Sequence, residues 1–275
     1  MIQNQLGLGP STPPLSIFSR SEAAVTNQFG NSGLDRSFPP PMMFKEIKAV
    51  PNFREERLNR GRIKAKSYHY CKLQPTFPLA KANGVKRVIA MSDIHSMTPE
   101  VVDWLLATQR VTPQTIVITT GDMAGNGRLG EDGDPLPQYT LLRDAALALY
   151  FVQGNHDALS PQALALTNAD GSRCCVDGVV VPTLLGTIGG VNGIVVSEEH
   201  VDASKHKLSQ ADYSAQYSHV LALNPDIMLT HQPVEREDMG ASIHLFGHDH
   251  CAVGYIDSDA TTLRLNMDGR VFQFD

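Results

Sequence analysis

From Val85 onward the chain is punctuated by short apolar runs, each ending in polar residues and followed by a stretch of helical spacing. That is how alternating strand and helix units read. KRVIAMSDIH (86–95) predicts a buried strand running into its loop, and Thr98-Pro99 then opens a helix through VVDWLLATQR (101–110). TIVITTGD (115–122) predicts a second strand. A loop rich in Gly and Asp, GNGRLGEDGDPLP (125–137), leads to a helix in YTLLRDAALAL (139–149), and LYFVQGNHD (149–157) predicts a third strand. After a short helix in PQALALTN (161–168), the Val- and Gly-rich run 176–196 predicts two or three strands of a second sheet. A helix over 209–223 precedes the strands DIMLTHQP (226–233) and SIHLFGHDH (242–250). The tail 251–272 alternates as a closing hairpin around Met267-Asp268-Gly269-Arg270.

The chain before this pattern reads differently. Residues 1–44 are rich in Pro, Ser, Asn and Gly and show no sustained period; such composition buries too little apolar surface to offset ordering entropy, so a disordered segment is expected. Residues 45–84 read as a basic connector or arm, leaving 85–275 for one catalytic domain. Within the arm, nine basic residues stand against three acidic ones between Lys45 and Lys72, while the whole chain carries a net charge of -6. Such a balance argues against indiscriminate binding of nucleic acid, which is gripped by dense Lys and Arg, and confines that option to the arm.

No apolar run reaches the roughly 18 to 20 residues that span a bilayer, and the opening MIQNQLGLGPSTPPL lacks the order of a secretory signal. Cys71, Cys174, Cys175 and Cys251 show neither CxxC spacing nor a dense framework. A soluble, cytoplasmic protein without a membrane partner is expected.

Chemistry concentrates where the strands end. Asp93, His95, Asp122, Asn155, His156, Asp157, His231, His248 and His250 all sit there, and residues just past strand ends of an α/β sheet converge on one crevice. Asp93 with His95, and His248 with His250, are two apart, which in extended chain puts both side chains on one side. Mixed nitrogen and oxygen donors suit first-row transition ions (Mn, Fe, Zn, Co or Ni) better than Ca or Mg. Four His, two Asp and one Asn are too many for one tetrahedral ion. With one carboxylate bridging, they divide into two sets, the two-metal arrangement that serves phosphoryl displacement.

The order D-x-H, G-D, G-N-H-D, H, G-H-x-H resembles the calcineurin-like metallophosphoesterase superfamily over roughly Val85 to Phe274. The resemblance implies an α/β fold, a two-sheet β-sandwich flanked by helices. It implies two divalent or mixed-valence transition-metal ions, with Asp93, His95 and His250 on one, Asn155, His231 and His248 on the other, and Asp122 between them. A hydroxide held between the ions would be the nucleophile. His156 would face the substrate and protonate the leaving oxygen, and Asp157 would hold the His156 ring.

Departures from the phosphoprotein phosphatases narrow the substrate. Those members read like G-D-x-x-D-R-G and R-G-N-H-E, with arginines that grip a phosphoserine phosphate, whereas this chain has Gly121-Asp122-Met123-Ala124-Gly125-Asn126-Gly127 and has Gln153 before Gly154. Loss of two bidentate anchors favours a singly charged phosphodiester over a doubly charged monoester. Asn126 and Arg128 are the candidate substrate contacts in that loop, and Asp132 and Asp134 read as ordinary turn residues. Three alternatives stay open: a phosphomonoesterase for a nucleotide or phosphoprotein, a nuclease using the 45–72 arm, and a catalytically silent metal-binding scaffold. Metal content and a comparison of monoester with diester turnover separate them.

Overall fold

A computed structural model describes residues 84–125, 132–234, 240–248, 263–267 and 269–275, together with the backbone of the strands at 45–47, 54–59, 62–67, 69–73 and 256–258. Two six-stranded sheets face each other. The first runs in the order Lys45–Ile47, His69–Leu73, Arg270–Phe274, Arg87–Ser92, Thr115–Thr119, Ala148–Phe151. The second runs Ile256–Ser258, Leu263–Asn266, Ile243–Phe246, Ile227–Thr230, Gly186–Val191, Val180–Thr183.

Strict alternation along each strand sorts side chains to two buried faces, which is why the strands read as unbroken apolar runs. In Arg87–Ser92, Val88 and Ala90 enter the core between the sheets with Ile118, Leu229, Leu245 and Leu265. Ile89 and Met91 of the same strand turn outward to Val101, Val102 and Leu105 of the helix Thr98–Ala107 and Leu142 of the helix Leu136–Ala145. On the far side, Val191 and Met228 pack against Tyr213, Tyr217 and Val220 of the helix Gln210–Leu221. The layers are therefore helix, sheet, sheet, helix, and the α/β sandwich expected from the sequence is the fold. Among the described residues no helix is long and apolar enough to cross a membrane.

Two expectations change. The tail is not a hairpin about 267–270: Arg270–Phe274 pairs antiparallel with Arg87–Ser92 and parallel with His69–Leu73 in the first sheet, whereas Leu263–Asn266 pairs with Ile243–Phe246 and Ile256–Ser258 in the second. Leu263, Leu265, Phe272 and Phe274 all enter the core between the sheets, so the two strands face each other across it. Alternation fixes which face a residue takes but says nothing about which strand lies beside it.

The second change concerns the basic stretch. Lys45–Ile47 and His69–Leu73 pair with each other and His69–Leu73 pairs with Arg270–Phe274, so residues expected as a connector extend the first sheet. Between them, Arg54–Asn59 and Arg62–Ser67 form an antiparallel two-stranded ribbon. Its charge-rich sequence carries little of the apolar alternation by which strands announce themselves, with only Ile63 and Ala65 alternating in the second strand.

Candidate metal centre

Parallel pairing brings the strand ends of both sheets to one edge. Arg87–Ser92, Thr115–Thr119 and Ala148–Phe151 run parallel in the first sheet, as do Gly186–Val191, Ile227–Thr230 and Ile243–Phe246 in the second. The loops that leave them interlock: His231 Nδ1 lies 2.8 Å from the Thr120 carbonyl, and His248 N–H donates to Asp93 Oδ2 at 3.0 Å. Asp93 Oδ2 also accepts from the Ser92 hydroxyl at 2.6 Å, which orients the carboxylate.

Two clusters of side chains able to hold a metal ion result. One is Asp93, His95 and Asp122; the other is Asp122, His231 and His248; within each, ligand atoms lie within 4.8 Å of one another. Asp122 belongs to both. Its Oδ2 stands 3.8 Å from His95 Nε2 and 3.4 Å from His231 Nε2. That oxygen is buried without a hydrogen-bond donor among the described residues, while Oδ1 accepts the His156 N–H at 2.8 Å.

The donor chemistry fits a cation. With its Nδ1–H given to the Thr120 carbonyl, His231 presents an Nε2 lone pair, and that atom is 3.2 Å from Asn155 Oδ1 as well as 3.4 Å from Asp122 Oδ2. Three acceptors converging on one point need a positive charge between them. In the absence of metal, burial would lower the His231 pKa, but the Asp122 carboxylate overrides it and pushes it up to about 10. Burial likewise works to raise the Asp122 carboxyl, and His231, with His95 and His156 behind it, holds it well below the usual carboxylate range. An ion taking the proton's place would satisfy the same acceptors.

Backbone strain marks the same spot. Asp93, His95, Asp122 and His248 are four of the seven described non-glycine residues with positive φ, at 58°, 54°, 52° and 67°. Asp and His tolerate this region better than most side chains, and such strain persists only where surroundings over-determine it. Close packing of glycines supplies those surroundings. A Cβ on Gly154 would meet Asp122 Oδ1 at 2.2 Å, one on Gly121 would meet Gly154 N at 2.3 Å, and one on Gly247 would meet Asp93 Oδ2 at 2.1 Å. Gly154 and Gly247 thus let their loops sit against a carboxylate, and Gly121 lets two loops sit against each other.

Around His156 the arrangement departs from expectation. Asp157 does not hold the imidazole; its carboxylate accepts the backbone N–H groups of Asp122 at 2.8 Å, Ala124 at 2.9 Å and Gly154 at 3.0 Å. Adjacent residues on a tight turn need not point the same way, and here Asp157 staples two strand-end loops together. The carboxylate facing His156 Nδ1 is Asp132, with Oδ1 at 3.4 Å. Nothing local in the sequence marks Asp132, since Glu-Asp-Gly-Asp-Pro reads as a turn; only the folded loop reveals it. Gln153 is buried, and its amide donates to the Asp157 carbonyl.

His244 is fully buried on its strand, with Nε2 2.8 Å from the Thr230 hydroxyl, and burial pushes its pKa down to about 3. Cys174 and Cys175 are buried free thiols. Of the residues singled out in the sequence, His250, Asn126, Arg128, Cys71 and Cys251 lie outside those whose side chains are described.

No curated protein sequence matches the chain. Among solved structures, a conserved uncharacterized protein of Streptococcus pneumoniae, described as a predicted phosphoesterase, is 18% identical, covers 66% of this chain and 70% of its own, and gives a TM-score of 0.27. The sulfate thiohydrolase SoxB of Thermus thermophilus, in complex with glycerol, is 12% identical, covers 62% of this chain and 37% of its own, and gives a TM-score of 0.35. The family model for calcineurin-like phosphoesterases matches residues 86–252, more than half of the chain. The chain belongs to the calcineurin-like phosphoesterases, hydrolases of phosphate esters.

Proposed function

We propose that the chain hydrolyses a phosphodiester at a two-metal centre in which Asp122 is shared. The observation that carries this reading is the membership of Asp122 in both clusters, with one buried carboxylate oxygen between His95 and His231. Asp93 and His95 would hold one ion, with His250 the expected further ligand, and Asn155, His231 and His248 would hold the other. The mixed nitrogen and oxygen donors favour a first-row transition ion such as manganese.

When bound, two cations supply the positive charge that acidifies an attacking water and offsets charge on the phosphoryl oxygens. The chain's own residues do the rest. Thr120 fixes the His231 tautomer through its carbonyl, and Ser92 orients Asp93. His156 donates its proton to the leaving oxygen as the phosphorus–oxygen bond to that group breaks and the bond to water's oxygen forms.

Gln153 supports a diester over a monoester. It occupies the place where the phosphoprotein phosphatases carry an arginine, it is neutral, and its amide is engaged by the Asp157 carbonyl. Protein stripped of metal, reloaded with Mn and assayed on bis-nitrophenyl phosphate, nitrophenyl phosphate and cyclic nucleotides tests the reading. Faster turnover of diesters is expected. A monoester turned over far faster would replace it with a phosphomonoesterase, and no turnover of any ester would leave a metal-binding scaffold.

A further inference from the structure

We propose that Asp132 is the residue that positions His156, in place of the neighbouring Asp157. Asp157 has its carboxylate engaged by three backbone N–H groups. Asp132 presents Oδ1 to His156 Nδ1 at 3.4 Å and Oδ2 to Lys205 Nζ at 3.3 Å. The imidazole and the carboxylate both keep about a quarter of their side-chain surface exposed, with relative values of 23% and 26%, so the pair stands at the rim of the centre.

The backbone around Asp132 is built to hold it there. Gly133 N–H donates to the His156 carbonyl at 3.0 Å, and Ala158 N–H donates to the Gly133 carbonyl at 2.7 Å, a short ladder that locks the loop onto the segment carrying His156. Asp134 extends the lock: Oδ2 accepts the Ser160 N–H at 3.2 Å, and Oδ1 accepts the Leu136 N–H at 3.0 Å in the first turn of the helix Leu136–Ala145. Residues 132–134, which read as a plain turn in sequence, are registered on the backbone of residues 156–160.

Lys205 fixes the other carboxylate oxygen from a different part of the chain, the 3-10 turn Ala203–Lys205. A carboxylate held by a cation on one oxygen and by its own backbone ladder has little freedom to swing. Its Oδ1 is the carboxylate atom facing His156 Nδ1, a buried nitrogen with no hydrogen-bond partner among the described residues, and pairing the two leaves Nε2 as the nitrogen for the reacting side. Asp132 touches neither substrate nor metal in this arrangement; it acts through the orientation of His156.

This inference rests on His156 being the proton donor, so the experiment separates the two claims. In the metal-free protein, the 15N resonances of the His156 ring are compared between wild type and Asp132→Asn, a readout that needs no turnover. In the Mn-loaded protein, kcat and KM are measured for diesters of graded leaving-group acidity in Asp132→Asn, Asp132→Glu, His156→Ala and the double variant Asp132→Asn/His156→Ala.

Asp132→Asn is expected to move the His156 Nδ1 resonance. It should also lower kcat about tenfold or more for alkyl leaving groups and far less for nitrophenolate, with KM nearly unchanged. Asp132→Glu should restore part of that loss, and the double variant should be no slower than His156→Ala alone. An unmoved resonance, a loss independent of the leaving group, or additive effects in the double variant overturns the role of Asp132. If His156→Ala turns over poor leaving groups at the wild-type rate, the proton-donor reading fails instead, and the ring resonance alone decides whether Asp132 holds His156.

Discussion

The backbone N–H of Asp122 donates to Asp157 Oδ2 at 2.8 Å, while the Asp122 side chain turns back to accept from His156 N–H through Oδ1. The two aspartates share one short stretch of structure but do different work. Asp157, 3% exposed, satisfies three backbone donors, two in buried bonds and that of Ala124 in a part-buried one. Asp157→Ala strands all three, and each unsatisfied buried group costs ~1–3 kcal/mol. A loss of ~3 kcal/mol or more in denaturant unfolding is expected, together with weakened metal binding. His156→Ala should melt near the wild type, so calorimetry of the two variants distinguishes a structural staple from a surface-facing acid.

Gly154 controls how closely the third strand-end loop approaches the shared carboxylate. A methyl group there would lie 2.2 Å from Asp122 Oδ1 and 2.4 Å from Asp122 N, both parts of a backbone-anchored residue with little room to give. Gly154→Ala should reduce Mn affinity by roughly tenfold or more, since the carboxylate must move. Isothermal titration with Mn checks this, with Gly171→Ala as a control because nothing lies within 4 Å of a Cβ at that position; the positive φ of Gly171 gives that control a backbone strain that Gly154→Ala lacks.

Asp177 makes stability depend on pH. Its carboxylate is enclosed although the residue as a whole is partly exposed; burial, opposed by the Gln153 N–H and other hydrogen bonds, pushes its pKa up to about 7. The folded chain therefore keeps a proton that the unfolded chain, near the ordinary value of 3.8, gives up. That group's contribution is fully present below about pH 4 and is lost as pH rises through about 7. Asp177→Asn removes the penalty, so its Tm relative to wild type should be higher at pH 8 than at pH 5.

Much of the site was legible before folding because polar residues that interrupt an apolar run at its end have few structural reasons to be there. Asp93, Asp122, Asn155 and His231 stand out on that ground, and parallel pairing then places them together. Asp132 was illegible for the opposite reason: its Gly and Pro neighbours supply a sufficient turn explanation, and its contact with His156 spans a separate loop. Asp157 misled by adjacency, since a neighbour in sequence at a tight turn faces another way. The strand His69–Leu73 stayed hidden because its pairing partner, Arg270–Phe274, lies about 200 residues downstream and no local pattern announces such a pair.

In the proposed centre the Asp122 carboxylate serves two ions. Metal content of purified, Mn-loaded protein measures it most directly, by elemental analysis of wild type and Asp122→Asn beside His156→Ala. Two ions per chain are expected in wild type and in His156→Ala, and a loss reaching both sites in Asp122→Asn. Retention of two tightly bound ions by Asp122→Asn would contradict the shared-carboxylate centre.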